Sequence, residues 1–153
     1  MTASTPQKPI EILVIEDNPG DVILMREALR RTAATLTTTC NGEEALEILR
    51  KRTTSAEVSP PDLILLDLHL PRMNGYDVLE EIRKDAALRA IPVVVFSSSD
   101  AERDILKSYE LGANCYVPKP FDLAEFNEVI GSIMQFWLKT AQLPKRQALA
   151  EKL

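Results

Sequence analysis

An open, doubly wound α/β sheet of five parallel strands is the fold this sequence predicts, on three observations. Five short apolar runs alternate with five stretches of helical spacing. Two of the runs, Leu63-Ile64-Leu65-Leu66 and Val93-Val94-Val95-Phe96, contain no alternating polar residue. Strands apolar on both faces are covered on both faces, as parallel strands are. Helix-start signals also fall where the alternation needs them. Strict β-α repetition then leaves one architecture, with ligands expected beyond the carboxyl ends of the strands.

The first run, residues 10–15, leads into helical spacing at Val22, Met25, Ala28 and Leu29, with Asn18-Pro19 placing a proline in the first turn. A weaker run at residues 36–40 precedes a helix carrying Ala45, Leu46 and Leu49, started by Asn41 with Glu44 three residues on. Residues 53–61 form a polar loop ending in proline that lengthens the connection to the third strand, Leu63–Leu66. Its helix lies near Gly75–Lys84. The fourth run is residues 93–96, with a helix near residues 101–111 for which Ser99 and Glu102 have capping-box spacing. The fifth run, residues 115–117, leads to a helix near residues 123–138, begun by Asp122 and Glu125. Its core stripe is Phe126, Val129, Ile130, Ile133 and Trp137, which leaves Met134, Phe136 and Leu138 without an obvious place to bury.

The 153 residues suit one domain at residues 9–139, preceded by a disordered tail at residues 1–8 and followed by a C-terminal extension at residues 140–153. Pro144 breaks the pattern there, and residues 145–153 could form one more short helix. Hydrophobic residues at 45% and charged residues at 27% describe an ordinary soluble protein. A net charge of −5 without a Lys/Arg stripe argues against nucleic acid as a partner. No apolar run approaches the roughly 20 residues that span a bilayer, and the polar amino terminus lacks a secretion signal, so the cytoplasm is expected. Cys40 and Cys115 have no metal-ligand or redox spacing and read as buried free thiols, and His69 stands alone.

The chemistry gathers at the strand ends. Glu16 and Asp17 follow the first run, Asp67 ends the third, Ser97 the fourth, and the fifth leads into Lys119-Pro120. Acids at strand ends are common, and each of these alone could be a helix cap; the coincidence of all five carries the signal. Crowded carboxylates repel one another, and a hard divalent cation relieves that repulsion through oxygen ligands. A carboxylate can accept a phosphoryl group covalently, while Lys119 and Ser97 would bind its oxygens.

Glu16-Asp17, Asp67 with Pro71 and Gly75 behind it, Ser97 and Lys119-Pro120-Phe121 together resemble the receiver domain of two-component response regulators, over residues 12–133. The resemblance implies a flavodoxin-like fold with strand order 2-1-3-4-5, a sensor histidine kinase as phosphodonor and Mg2+ as cofactor. It makes Asp67 the phosphoacceptor, Lys119 the phosphate-binding lysine and Ser97 the switch hydroxyl, with Tyr116 as the aromatic partner that swings inward. Asp17, Asp67 and the His69 backbone carbonyl would hold the metal, with Glu16 reaching it through water. The Lys119–Pro120 bond would be cis. The strand order also puts Cys40 and Cys115 on opposite edges, four spacings of about 4.8 Å apart, too far for a disulfide.

The long loop at residues 53–61, the sequence Leu65-Leu66-Asp67-Leu68-His69-Leu70-Pro71 and the extended C-terminus are similar to the small single-domain regulators paired with bacterial phytochrome kinases, although His69 stands where that subgroup often has Asn. Such a protein is no enzyme beyond its own phosphorylation and dephosphorylation. It would signal to an unknown downstream protein or pass the phosphoryl group on in a relay, as a homodimer through the last helix. Two rivals share parts of the pattern. A haloacid-dehalogenase phosphatase would carry a second Asp where His69 stands, and a flavodoxin would not place Glu16-Asp17 and Asp21 against a flavin phosphate.

Overall fold

The computed structural model describes residues 9–145. The expected tail at residues 1–8 and all but the first residue of the expected short helix at 145–153 lie outside the described residues. The elements alternate as β1 (Glu11–Ile15), α1 (Pro19–Leu29), β2 (Thr35–Thr39), α2 (Gly42–Thr54), β3 (Leu63–Leu66), α3 (Gly75–Lys84), β4 (Val93–Ser97), α4 (Glu102–Glu110), β5 (Cys115–Pro118) and α5 (Leu123–Gln135). They form one five-stranded sheet in the order β2-β1-β3-β4-β5, every pair parallel.

Period-two alternation sorts the strand side chains into two cores. Leu13, Ile15, Ile64, Leu66, Val93 and Val95 pack with Leu46, Leu49, Val78, Leu79 and Ile82 from α2 and α3. Ile12, Val14, Leu63, Leu65, Val94 and Phe96 pack with Met25 and Leu29 of α1 and Phe126, Ile130, Ile133 and Met134 of α5. Phe96 meets Phe126 edge to face, ring centroids 5.3 Å apart. Helices on both faces explain why the central strands carry no polar alternation.

Most helix starts follow the sequence. Asn18 accepts hydrogen bonds from the amides of Gly20 and Asp21, and Pro19 is in the first turn. Asn41 accepts from Glu44 N–H, and Asp122 from Ala124 N–H. Asn74, not anticipated, caps α3 through Asp77 N–H. The expected cap at Ser99 is not made: α4 starts after Ala101 without a side-chain cap. The Ser99 hydroxyl instead donates to the Asp104 carboxylate at 2.5 Å.

Three further expectations change. α2 continues through Thr54, so the long loop begins later than predicted. The last helix is α-helical only to Gln135 and then widens into a π-helical turn, Phe136–Thr140, closed by Ala141 N–H on the Phe136 carbonyl. That turn carries Trp137 and Leu138 to the second core, which with the buried Met134 leaves Phe136 as the exposed residue of the group. Cys40 and Cys115 are both free, but Cys40, just past the end of edge strand β2, is exposed and Cys115 half-buried. Lying beyond the paired residues, Cys40 has no strand on its outer side to cover it.

Candidate functional site

Parallel register brings the sequence-predicted residues together. Ile15 pairs with Leu66, so the next residues, Glu16 and Asp67, leave the sheet side by side. Backbone bonds continue past the strands: Asp67 N–H donates to the Ile15 carbonyl and Glu16 N–H to the Thr39 carbonyl, each at 3.0 Å. Ser97 lies opposite Pro118 on β5, and Lys119 N–H reaches the Ser97 carbonyl at 2.7 Å. Five residues from four strand ends therefore share one rim.

At the centre is the Lys119 ammonium. It donates to Glu16 Oε2 at 2.5 Å, Asp21 Oδ2 at 2.9 Å and Asp67 Oδ2 at 3.0 Å. The other Asp67 oxygen accepts from His69 N–H at 3.1 Å, and the other Glu16 oxygen from Asn18 N–H at 3.1 Å. Glu16, Asp67 and Ser97 are buried, while Asp17 is exposed at the edge of the site. Asp21 was not among the predicted residues. The available signal was an acid in the first turn of a helix that opens on this rim.

Charge does not balance. One ammonium serves Glu16, Asp21 and Asp67, with Asp17 close by. Burial, and the neighbouring Asp67, push the Glu16 carboxyl up to about 8 despite the pull of Lys119. Burial works against the Lys119 charge too, but hydrogen bonds to Glu16 and Asp21 and the field of Asp67 outweigh it and hold the ammonium above the ordinary lysine range. Glu16, Asp17 and Asp67 each offer a carboxylate oxygen, all within 4.8 Å of one another. An all-oxygen, over-negative cluster fits a hard divalent cation.

The ground behind Asp67 is tight. A Cβ on Gly75 would overlap the Asp67 carbonyl oxygen and the Leu68 Cα. Gly75→Ala must therefore displace the turn that carries Asp67, and we expect it to destabilise the protein by about 2–3 kcal/mol. An unchanged thermal midpoint would show that the turn yields freely.

Ser97 and Tyr116 lie on adjacent strands at the same end. Ser99 N–H approaches the Ser97 hydroxyl oxygen at 3.4 Å. Tyr116 is 8% exposed, and its hydroxyl donates to the Ser99 carbonyl at 2.8 Å. The Lys119–Pro120 bond is a correction: it is trans, and no cis peptide bond occurs among the described residues. The trans form is the ordinary preference of an X–Pro bond, and the Lys119 N–H and ammonium are both bonded without departing from it.

Residues 12–131 match the response regulator receiver domain. Response regulator Rcp1 of Synechocystis sp. is 38% identical over 138 residues, spanning 89% of this chain and 94% of its own. The crystal structure of the phosphorylated cyanobacterial phytochrome response regulator RcpA superposes with a TM-score of 0.85 at 43% identity, over 90% of this chain and 99% of RcpA. The Mn2+-bound form of Rcp1 gives 0.83 at 37% identity, over 90% and 100%.

Proposed function

The chain belongs to the response regulator receiver family, and on that premise we propose that it accepts a phosphoryl group from a sensor histidine kinase, of the phytochrome type, onto Asp67. The supporting observation is the Lys119 ammonium shared by Glu16, Asp21 and Asp67 at the carboxyl ends of the strands. RcpA, named above, is a phytochrome response regulator, which suggests the class of donor. A cytoplasmic location goes with this reading.

An Asp67 oxygen forms the new O–P bond as the donor's P–N bond breaks, with the electron pair departing on the donor imidazole. Lys119 transfers its hydrogen bonds from the carboxylates to the phosphoryl oxygens, and Ser97 adds a hydroxyl donor. Asp17, Asp67 and the His69 backbone carbonyl would hold Mg2+, with Glu16 bound through water. Bound there, Mg2+ neutralises the phosphoryl oxygens. The added group carries about −1.5 to −2 charge. Ser97 follows it inward, and Tyr116 conveys the change to the face of α4, β5 and α5, where a downstream protein reads it. Turnover is confined to the chain's own phosphorylation and dephosphorylation.

Calorimetric titration tests the metal site. Asp17→Asn should weaken Mg2+ binding at least tenfold, about 1.4 kcal/mol. The same variant should unfold no lower than wild type in metal-free buffer, because one of several repelling anions is gone. Unchanged Mg2+ affinity would remove Asp17 from the ligand set.

Assembly belongs to the same proposal. Phe136 is 50% exposed and Leu123 57%, and Phe136 stacks edge to face on Trp137 with centroids 5.1 Å apart. Aromatic anchors on an exposed helix suit a two-fold homodimer through α5 and its π-helical end. We expect Phe136→Asp to shift light-scattering mass from twice the chain mass to 17.1 kDa at micromolar concentration. A wild-type mass already at that value would exclude the dimer.

A further inference from the structure

Four side chains outside the phosphoryl site form a chain of hydrogen bonds that sequence reading did not find. Tyr76, in the first turn of α3, donates its hydroxyl to Asp104 Oδ1 at 2.6 Å. The Ser99 hydroxyl donates to Asp104 Oδ2 at 2.5 Å. The carbonyl of the same Ser99 accepts the Tyr116 hydroxyl at 2.8 Å. Asp104 thus uses both oxygens to tie α3 to the β4–α4 loop, and that loop holds the ring of Tyr116. The hydrogen bonds from Ser99, then Tyr76, hold the Asp104 carboxyl below the usual carboxylate range. The Lys107 ammonium, one turn along α4, lies 4.3 Å from the centre of the Tyr76 ring.

Sequence spacing predicts a helix cap at Ser99, but α4 starts two residues later, after Ala101, without a side-chain cap; the Ser99 hydroxyl donates to Asp104 while its oxygen accepts Ala101 N–H at 3.3 Å. A lost cap costs about 1 kcal/mol. Compensation comes from two hydrogen bonds to an ionised acceptor, which are stronger than neutral ones. α4 is held instead by its neighbours. Besides the Asp104 pair, Tyr109 accepts Tyr116 N–H at 3.2 Å, and the buried Ser108 hydroxyl donates to the Asp104 carbonyl at 2.7 Å.

We propose that Asp104, gripped by Tyr76 and Ser99, is a positioning residue that fixes the β4–α4 loop and so holds Tyr116 inward before any phosphoryl group arrives. Tyr76 and Asp104 do not touch the reacting atoms. They act through the Ser99 carbonyl, setting how much of the unphosphorylated protein already has the inward ring. The part of this inference that concerns phosphorylation rests on the function proposed above; the part that concerns Tyr116 does not.

The test uses the full chain carrying fluorotyrosine, read by fluorine NMR without phosphodonor or metal. Tyr76→Phe removes one donor and keeps the ring under Lys107. Ser99→Ala removes the other donor and keeps the carbonyl. Asp104→Ala removes the acceptor of both. Each single donor variant should lower the inward-to-outward ratio of Tyr116 about tenfold, as expected for one hydrogen bond to a charged group. Asp104→Ala should lower it further, and adding Tyr76→Phe to it should change nothing more. Lys107→Gln, which leaves all three hydrogen bonds, should barely move the signal. An unmoved Tyr116 resonance in Asp104→Ala, with thermal unfolding showing an intact fold, overturns the proposal. Equal effects of Tyr76→Phe with and without Asp104 also overturn it, because Tyr76 would then act by another route. If the resonances shift as expected while wild type takes no phosphoryl group from acetyl phosphate, the strut stands and the phosphoryl function falls.

Discussion

Asp67→Asn should take up no phosphoryl group, from a histidine kinase or from acetyl phosphate, while folding as well as the wild type. The amide keeps the size of the side chain, and its oxygen can still accept His69 N–H, a bond that Asp67 makes at 3.1 Å. What it loses is the anionic oxygen that attacks phosphorus. The neighbours are not expected to substitute. Glu16 is buried against Lys119 and Asn18, and a serine hydroxyl such as that of Ser97 is a weak nucleophile unless a base activates it. Removing the Asp67 charge should also lower the Glu16 pKa, since Asp67 is among the causes that raise it. Undiminished labelling of Asp67→Asn at another residue would overturn the assignment.

Lys119→Met should be the most damaging substitution to the metal-free fold. The lysine side chain is 8% exposed and its partners Glu16 and Asp67 are 1% and 6% exposed. Removing one partner of a buried ionic cluster typically costs about 3–5 kcal/mol, because the remaining charges stay desolvated and unpaired. The loss should depend on pH through Glu16. Its folded pKa, about 8, lies above the ordinary 4.5 of an exposed glutamate. Between those values the folded protein holds a proton that the unfolded chain has released, so the contribution to stability is complete below pH 4.5 and declines as pH rises to 8. Metal-free wild type should therefore lose stability over that interval, and Lys119→Met should lose more of it. Saturating Mg2+ should flatten the slope in wild type by taking the place of the proton. Thermal unfolding across the interval, with and without Mg2+, measures both effects; a metal-free midpoint that rises with pH would contradict the Glu16 assignment.

Much of this was legible in the sequence because it rests on local or repeating features. Apolar runs such as Val93-Val94-Val95-Phe96 report burial on both faces, and Asn18-Pro19 reports a helix start through backbone chemistry alone. The rim residues were legible because parallel register converts equal position along strands into proximity. The rest depends on contacts between elements. Nothing in a single sequence says that Tyr76 will meet Asp104, 28 residues away on another helix. Ser99 was misread as a cap because its spacing to Glu102 is right, whereas α4 starts two residues later, after Ala101. The π-helical turn from Phe136 was missed because Phe136-Trp137-Leu138 suits an α-helix by composition. It is the second core, reaching Trp137 and Leu138, that accompanies the wider turn. Asp21 went unassigned because its partner, Lys119, arrives from the far end of the chain.

Borohydride reduction of the protein after incubation with acetyl phosphate and Mg2+, followed by peptide sequencing, tests the central claim most directly. An acyl phosphate on aspartate is reduced to homoserine, which marks the acceptor covalently. The account requires homoserine at position 67 alone, formed only when Mg2+ is present and absent from Asp67→Asn. Phosphate retained on Ser97 or His69, or homoserine at 67 formed equally well in chelator, would contradict it.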